Sequence, residues 1–314
     1  MQKHGHKPIV LIGGGTTRIG DPSGKDKTRK ILTEKEIEKN IVNIEKILKN
    51  YLDNNDPKTK PIFVNNYSWL KGLNYISFLR DIGKHFTINK MLTFESVKTR
   101  LDREQSLSYM EFNYMILQAY DFLELNKKEN CSLQIGGSDQ WGNIVNGIEL
   151  IKKASFQENK NANVHAITSP LITCSNGQKM GKTANGAVWL DEDKLSNYDF
   201  FQFWRNVDDN DVPKFLNLFT KLPLNEIKKL SSLKDKEINE AKKILAYEVT
   251  KIVRGKEDAD EALEIANNVF NSNIVDKRLP NISQSKSILE NDNFSILDAI
   301  EKLSLVKSRS EIKR

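Results

Sequence analysis

Twice in this 314-residue chain a short apolar run ends in consecutive glycines, and a helical pattern opens beyond them. The first is Lys7 to Gly14 (KPIVLIGG), read as a buried strand. The second is Ser132 to Ile135, which leads into Gly136 and Gly137, with a helix from about Ile144. Repeated strand-then-helix units of this kind build a mostly parallel sheet covered by helices, so the pattern predicts an α/β domain. Between the two units, Thr33 and Glu36 form a capping-box signature. It opens a helix whose apolar residues (Ile37, Ile41, Ile44, Ile47, Leu48, Tyr51) keep a helical period. Pro61 to Val64 reads as a second strand. Tyr75 to Gly83 begins a helical region that runs on through Leu101, and Asn113 to Leu125 reads as another helix. After about residue 186 strand signals fade. Ile238, Ala241, Leu245, Val249 and Ile252 form one helical stripe ending before Gly255, and Ala262 to Phe270 form another. Residues 271–293 are polar and linker-like, and Ser295 to Leu303 reads as a last short helix.

Length suggests about two domains at roughly 150 residues each. With 38% hydrophobic and 29% charged residues and only 8 Pro and 16 Gly, collagen-like, low-complexity and wholly disordered chains are excluded. There is no apolar run of membrane-spanning length. The apolar run near the N-terminus, Ile9 to Ile12, is too short for a secretory signal, so the expected location is the cytoplasm. Cys131 and Cys174 are far apart and the four histidines are scattered, so neither a disulfide framework nor a metal ligand set is expected. The formal net charge of +6, mostly from lysine, favours a polyanionic partner but is equally what a Lys-rich soluble surface gives.

Four segments carry candidate chemistry. Gly13 to Lys25 (GGGTTRIGDPSGK) follows a strand but has neither the phosphate-loop nor the dinucleotide-binding spacing. What it offers is a loop with one carboxylate, Asp21, and a basic tail at Lys25, Lys27 and Arg29; an ordinary glycine-rich turn is the competing reading. In Tyr114 to Asp121 (YMILQAYD), Tyr114, Gln118 and Asp121 fall within about 60° on a helix. A phenol, an amide and a carboxylate on one stripe of an apolar helix suit a polar aromatic ligand, and the competing reading is a solvent-facing stripe. Gln134 to Asn143 (QIGGSDQWGN) ends a strand where ligands of parallel sheets bind. There Gly137 admits a ligand to the backbone, Asp139 can accept from ribose hydroxyls, and Gln140 both donates and accepts. Finally, Lys179 to Thr183 (KMGKT) follows an Asn176-Gly177 turn. Its two lysines can swing onto a polyphosphate, or are simply solvated surface.

In this order the segments resemble one family, the bacterial-type tyrosyl-tRNA synthetases of class I. GDPSGK, FLRDIGKHF at 78–86, YMILQAYD at 114–121, LQIGGSDQWGNI at 133–144 and KMGKT at 179–183 all match it. The last resembles the family's KMSKS-type loop, with Gly181 and Thr183 in place of its serines. The resemblance implies a Rossmann-like catalytic domain over 1–186, an α-helical tRNA-contacting domain over 187–275, and a linker with an incomplete S4-like RNA-binding module over 276–314. It implies that Tyr114, Gln118, Asp21 and Gln140 hold tyrosine's amino and carboxyl end, with Asp121 accepting from its phenol. Thr16, Gly137, Asp139, Lys182 and Thr183 would contact ATP or the adenylate. Lys179 and Lys182, helped by Lys25 and Arg29, would stabilise departing pyrophosphate. ATP with Mg2+ is the implied co-substrate, and no protein-ligated metal is expected. Tyrosine and tRNA-Tyr are the implied partners, without membrane or DNA. A homodimer is implied too, joined around Ser108 to Phe112, where Tyr109 and Phe112 could instead be core.

The match starts where the family's first strand and HIGH-type ATP helix are already past, and Leu297 to Lys313 resembles the opening of the S4-like module. The reading is therefore of a chain truncated at both ends, with little adenylation activity expected of this stretch. Two alternatives stay open: a non-catalytic RNA-binding relative, and a tryptophanyl-type synthetase.

Overall fold

The computed structural model describes residues 1–20, 32–157, 162–183 and 186–272. The chain divides into two compact units, 1–173 and 174–314.

The first unit alternates strands and helices. Its elements are β1 (Ile9–Ile12), α1 (Glu34–Tyr51), β2 (Ile62–Asn65), α2 (Tyr67–Leu70), α3 (Tyr75–Asp81), α4 (Ile88–Met91), α5 (Glu95–Asp102), α6 (Tyr109–Phe112), α7 (Tyr114–Glu129), β3 (Leu133–Gly137), α8 (Trp141–Gln157) and β4 (His165–Ser169). The capping box at Thr33 is present. The Thr33 amide donates to Glu36 Oε2 at 2.7 Å, and the Glu36 amide donates to Thr33 Oγ1 at 3.3 Å. β1 pairs with β2 and β3 with β4, both in parallel; Ile9 lies opposite Ile62, and Leu133 opposite His165. The two pairs do not join into one sheet among the described residues. A groove of about 560 Å³ separates them, lined by Ile9 and Leu11 of β1, Leu133 and Ile135 of β3, and Phe122 and Leu125 of α7. Strand β4 has no counterpart in the sequence reading. Its residues alternate between exposed and half-buried, a pattern His-Ala-Ile-Thr-Ser barely displays.

The core of this unit lies between α7 and α8, where Ala119, Phe122, Leu123, Leu150 and Ile151 are buried together. Gly147 lets the helices close. A Cβ there would stand 2.9 Å from Phe122 Cδ1, and Phe122 is 1% exposed with little room to yield. Elsewhere in this unit, Arg100 and Glu111 form an ion pair at 3.0 Å with both side chains almost wholly buried. Glu111 also completes a capping box with Ser108 at the start of α6.

The second unit opens with a turn and a hairpin, β5 (Lys182–Thr183) and β6 (Gly186–Ala187). It continues through helices α9 (Asn197–Arg205), α10 (Val212–Phe219), α11 (Leu224–Ser231), α12 (Ile238–Arg254) and α13 (Lys256–Ser272). Its core is aromatic. Trp204 meets Phe200, Phe203, Phe215 and Phe219 edge-on at centroid distances of 5.0–6.4 Å. The stripe expected on α12 faces this core through Ala241, Leu245 and Val249, and Gly255 (φ 103°) stops the helix. Cys174, Met180 and Val188 pack against the same core, so the KMGKT segment belongs with the helices. The expected linker and S4-like segment over 276–314 lie outside the described residues. No described helix is long and apolar enough to cross a membrane.

Candidate active site

In the first unit the carboxyl ends of β1 and β2 converge on one face of α7. β1 runs into Gly13–Gly15 and a single 3₁₀ turn at Thr16–Arg18, and β2 runs into Asn65 and Asn66. Asn66 is wholly buried and its amide is fully used. Its Oδ1 accepts the Gly15 amide at 2.7 Å, while its Nδ2 donates to Thr16 Oγ1 at 3.0 Å and to Asp121 Oδ2 at 2.9 Å. Glycine is needed at position 15 for this approach, since a Cβ would come within 2.7 Å of Leu70 Cδ1 and 3.1 Å of Asn66 Oδ1. Trp69, one turn beyond Asn66, donates its indole N–H to Asp121 Oδ1 at 2.7 Å.

Asp121 is thus a carboxylate, 2% exposed, whose oxygens each receive one N–H. Burial pushes its pKa up to about 6; the Asn66 and Trp69 hydrogen bonds pull against that, and nearby Glu124 adds to it. At neutral pH it is ionised and still has lone pairs to offer a further donor, because a carboxylate has about four acceptor sites. Tyr114 and Gln118 lie on the same helix face and are half-buried, so none of the three is a solvent-facing residue. Arg18 caps the glycine turn: its guanidinium lies 3.8 Å over the Tyr67 ring, and it pairs with Glu34 and the Gly14 carbonyl.

The remaining expected residues are placed as follows. Thr16 is 5% exposed and tied into the Asn66 network. Gly137 ends β3, and Asp139 and Gln140 follow in a half-buried 3₁₀ turn, where Asn143 donates to Gln140 Oε1 at 3.2 Å. Lys179 is exposed in the second unit, and Lys182 and Thr183 form β5, opposite Ala187 and Gly186. Asp21, Lys25 and Arg29 lie outside the described residues. The sequence reading missed Asn66 and Trp69. Their one signal is a pair of asparagines at the carboxyl end of a parallel strand, a position where polar side chains are ligand-facing or network-forming.

The family model for tRNA synthetases class I (W and Y) matches residues 1–271. The tyrosine–tRNA ligase of Pelagibacter ubique is 64% identical over the whole of this chain, which spans 75% of that relative. The tyrosine–tRNA ligase of a Wolbachia of Brugia malayi is 54% identical, with 100% and 74% covered. Among solved structures, a C-terminally truncated mitochondrial tyrosyl-tRNA synthetase of Aspergillus nidulans superposes with a TM-score of 0.72 at 31% identity, covering 84% of this chain and 77% of that one. A two-unit α/β and helical chain with this buried polar cluster and these matches belongs to the tyrosyl and tryptophanyl family of class I tRNA synthetases.

Proposed function

We propose that this chain is a tyrosine–tRNA ligase, joining tyrosine to ATP as tyrosyl-adenylate and passing it to the 3′ end of tRNA-Tyr. The observation that carries the choice of amino acid is Asp121, a buried acceptor held in place by hydrogen bonds from Asn66 and Trp69. A phenol satisfies it with an O–H donor. Phenylalanine leaves its remaining acceptor capacity desolvated and unmet, a form of discrimination for which tyrosyl-tRNA synthetases are themselves the standard case. The relatives at 52–64% identity over the whole chain are tyrosine–tRNA ligases, which disfavours the tryptophanyl alternative.

In this reading Tyr114, Gln118, Gln140 and Asp21 take the amino and carboxyl groups of tyrosine. Thr16, Gly137, Asp139, Lys182 and Thr183 take ATP and the adenylate, with Mg2+ entering on the ATP phosphates. The tyrosine carboxylate attacks the α-phosphorus, and the bond to pyrophosphate breaks. Lys179 and Lys182, with Lys25 and Arg29, neutralise the charge that moves onto pyrophosphate. No side chain forms a covalent bond; the work is positioning and electrostatics. The helical second unit contacts the tRNA, and the protein works in the cytoplasm with the translation machinery.

The dimer of this reading uses the exposed apolar face at Tyr75, Ile76 and Tyr109, which are 58%, 70% and 66% exposed. The Tyr75 and Tyr109 hydroxyls lie 3.1 Å apart at the mouth of a groove of about 450 Å³. Tyr109 is therefore not a core residue. Sedimentation of the Tyr109→Asp variant should show monomer where the parent shows dimer.

ATP–pyrophosphate exchange driven by tyrosine, phenylalanine or tryptophan tests the amino acid. Run on this stretch and with an HIGH-type N-terminal segment restored, exchange is expected with tyrosine alone, and exchange with tryptophan would overturn the assignment. A folded chain that binds tRNA but neither binds tyrosine nor exchanges would support the RNA-binding alternative.

A further inference from the structure

The segment bearing Lys179 and Lys182 leaves and rejoins the helical unit at two stems, and each stem is gripped by one side chain from a helix end. At the first stem, Cys174 to Gln178 close a tight turn: the Cys174 amide donates to the Gln178 carbonyl at 2.8 Å and the Gly177 amide to the Cys174 carbonyl at 2.9 Å. The Ser175 amide on this turn donates to Asp211 Oδ2 at 2.9 Å, and the Ser175 side chain hydrogen-bonds Asp208. Asp211 is 4% exposed and immediately precedes α10. At the second stem, the hairpin is closed by the Val188 amide on the Gly181 carbonyl at 3.0 Å, and the chain passes straight to Trp189 and Leu190. There Arg254, the last residue of α12, spreads its guanidinium across three backbone carbonyls: Leu190, Trp189 at 3.3 Å and Leu195 at 3.1 Å. It also lies 5.1 Å over the ring of Phe200, itself 1% exposed.

We infer that Asp211 and Arg254 are positioning residues that fix the two stems of the lysine loop, and so set where its lysines stand during tyrosine activation. This rests on the assignment of Lys179 and Lys182 to the departing pyrophosphate. Asp211 and Arg254 hold backbone groups of the two stems. What they remove is freedom of the backbone on either side. Stabilising a transition state electrostatically requires charges already in place when the leaving group forms. A loop loose at either end pays for ordering itself at that moment, and misplacement by about 1 Å costs on the order of 100-fold.

The test follows backbone amide exchange and tyrosine-dependent ATP–pyrophosphate exchange on the same preparations of the full chain. In Asp211→Ala the amides of 174–181 should exchange faster, and in Arg254→Met those of 187–195, while α9 and α12 keep their protection. In both, kcat for activation should fall about 10- to 100-fold with the KM for tyrosine unchanged. Asp211→Asn keeps an oxygen acceptor for the Ser175 amide and should retain most of the activity. Arg254→Lys keeps the cation at the helix end but cannot span three carbonyls, so it should loosen 187–195 without disturbing the helices. Unchanged loop protection in Asp211→Ala and Arg254→Met would overturn the inference. So would unchanged kcat, or loss of protection throughout α9 to α12. The underlying assignment fails separately, if the Lys179→Ala and Lys182→Ala variants activate tyrosine at the parental rate.

Discussion

Replacing Asp121 by Asn separates the electrostatic cost of this site from its hydrogen bonds. A carboxylate that titrates near 6 in the folded chain rather than at the ordinary 3.8 is held more tightly by its proton when folded. The sign follows: folding is favoured while the group is protonated, below about pH 4, and that advantage is lost as pH rises through about 6. At about 1.4 kcal/mol per pH unit, the full cost of ionising Asp121 in place is about 3 kcal/mol. Asn is nearly isosteric and carries no charge. It keeps an oxygen for one of the two donors, Asn66 or Trp69, and presents its NH2 to the other, a loss of about 1–3 kcal/mol that does not depend on pH. The difference in unfolding free energy between Asp121→Asn and parent should therefore drift steadily in favour of Asn as pH rises. Between pH 4.5 and 8 the drift should be about 2 kcal/mol. Urea titrations of both proteins at half-unit pH steps give this difference directly, and titrations common to both cancel. A difference flat with pH, or one that drifts towards the parent, would refute the reasoning that burial dominates the environment of Asp121.

Tyrosine binding should carry the opposite sign, because the ionised Asp121 accepts more strongly from a phenol than the protonated form does. Affinity by calorimetry should rise between pH 5 and about 6.5 and then level off, and Asp121→Asn should abolish the rise. Arg100→Met strands Glu111 as a buried charge and should cost about 3–5 kcal/mol in urea unfolding, far more than an exposed pair would. Gly147→Ala gains helix propensity of up to about 1 kcal/mol but drives a methyl into Phe122. It should destabilise by about 1–2 kcal/mol net, and a stabilised variant would show that α7 and α8 have slack.

The strands that run into glycines and the capped helix at Thr33 were legible because each signal is local. Ile9–Ile12 is a short apolar run, and Thr33 and Glu36 sit three residues apart. The helical face of Tyr114, Gln118 and Asp121 was legible for the same reason, as a period within eight residues. Asn66 was not, because its role comes from three partners 50 to 55 positions away that only the fold assembles. Trp69 reads as an apolar side chain until its N–H finds Asp121. Strand β4 was hidden because Ala166 and Thr168 give a weak alternation, and pairing with β3 supplies what propensity does not.

The separation of β1–β2 from β3–β4 changes what the Asp121 cluster does for the fold. In an unbroken sheet, backbone ladders carry cooperativity from strand to strand. Here the ladder stops at a groove that α7 lines with Phe122 and Leu125. The side chains of Asn66 and Trp69 tie the end of β2 to Asp121 and act as a mortise joint between the β1–β2 pair and α7. Hydrogen exchange should accordingly resolve two opening units in this region, with the β1–β2 amides the more sensitive to Asp121. A ligand that grips Asp121 also tightens that joint, so substrate recognition and the integrity of the half-sheet beside it rest on the same few atoms.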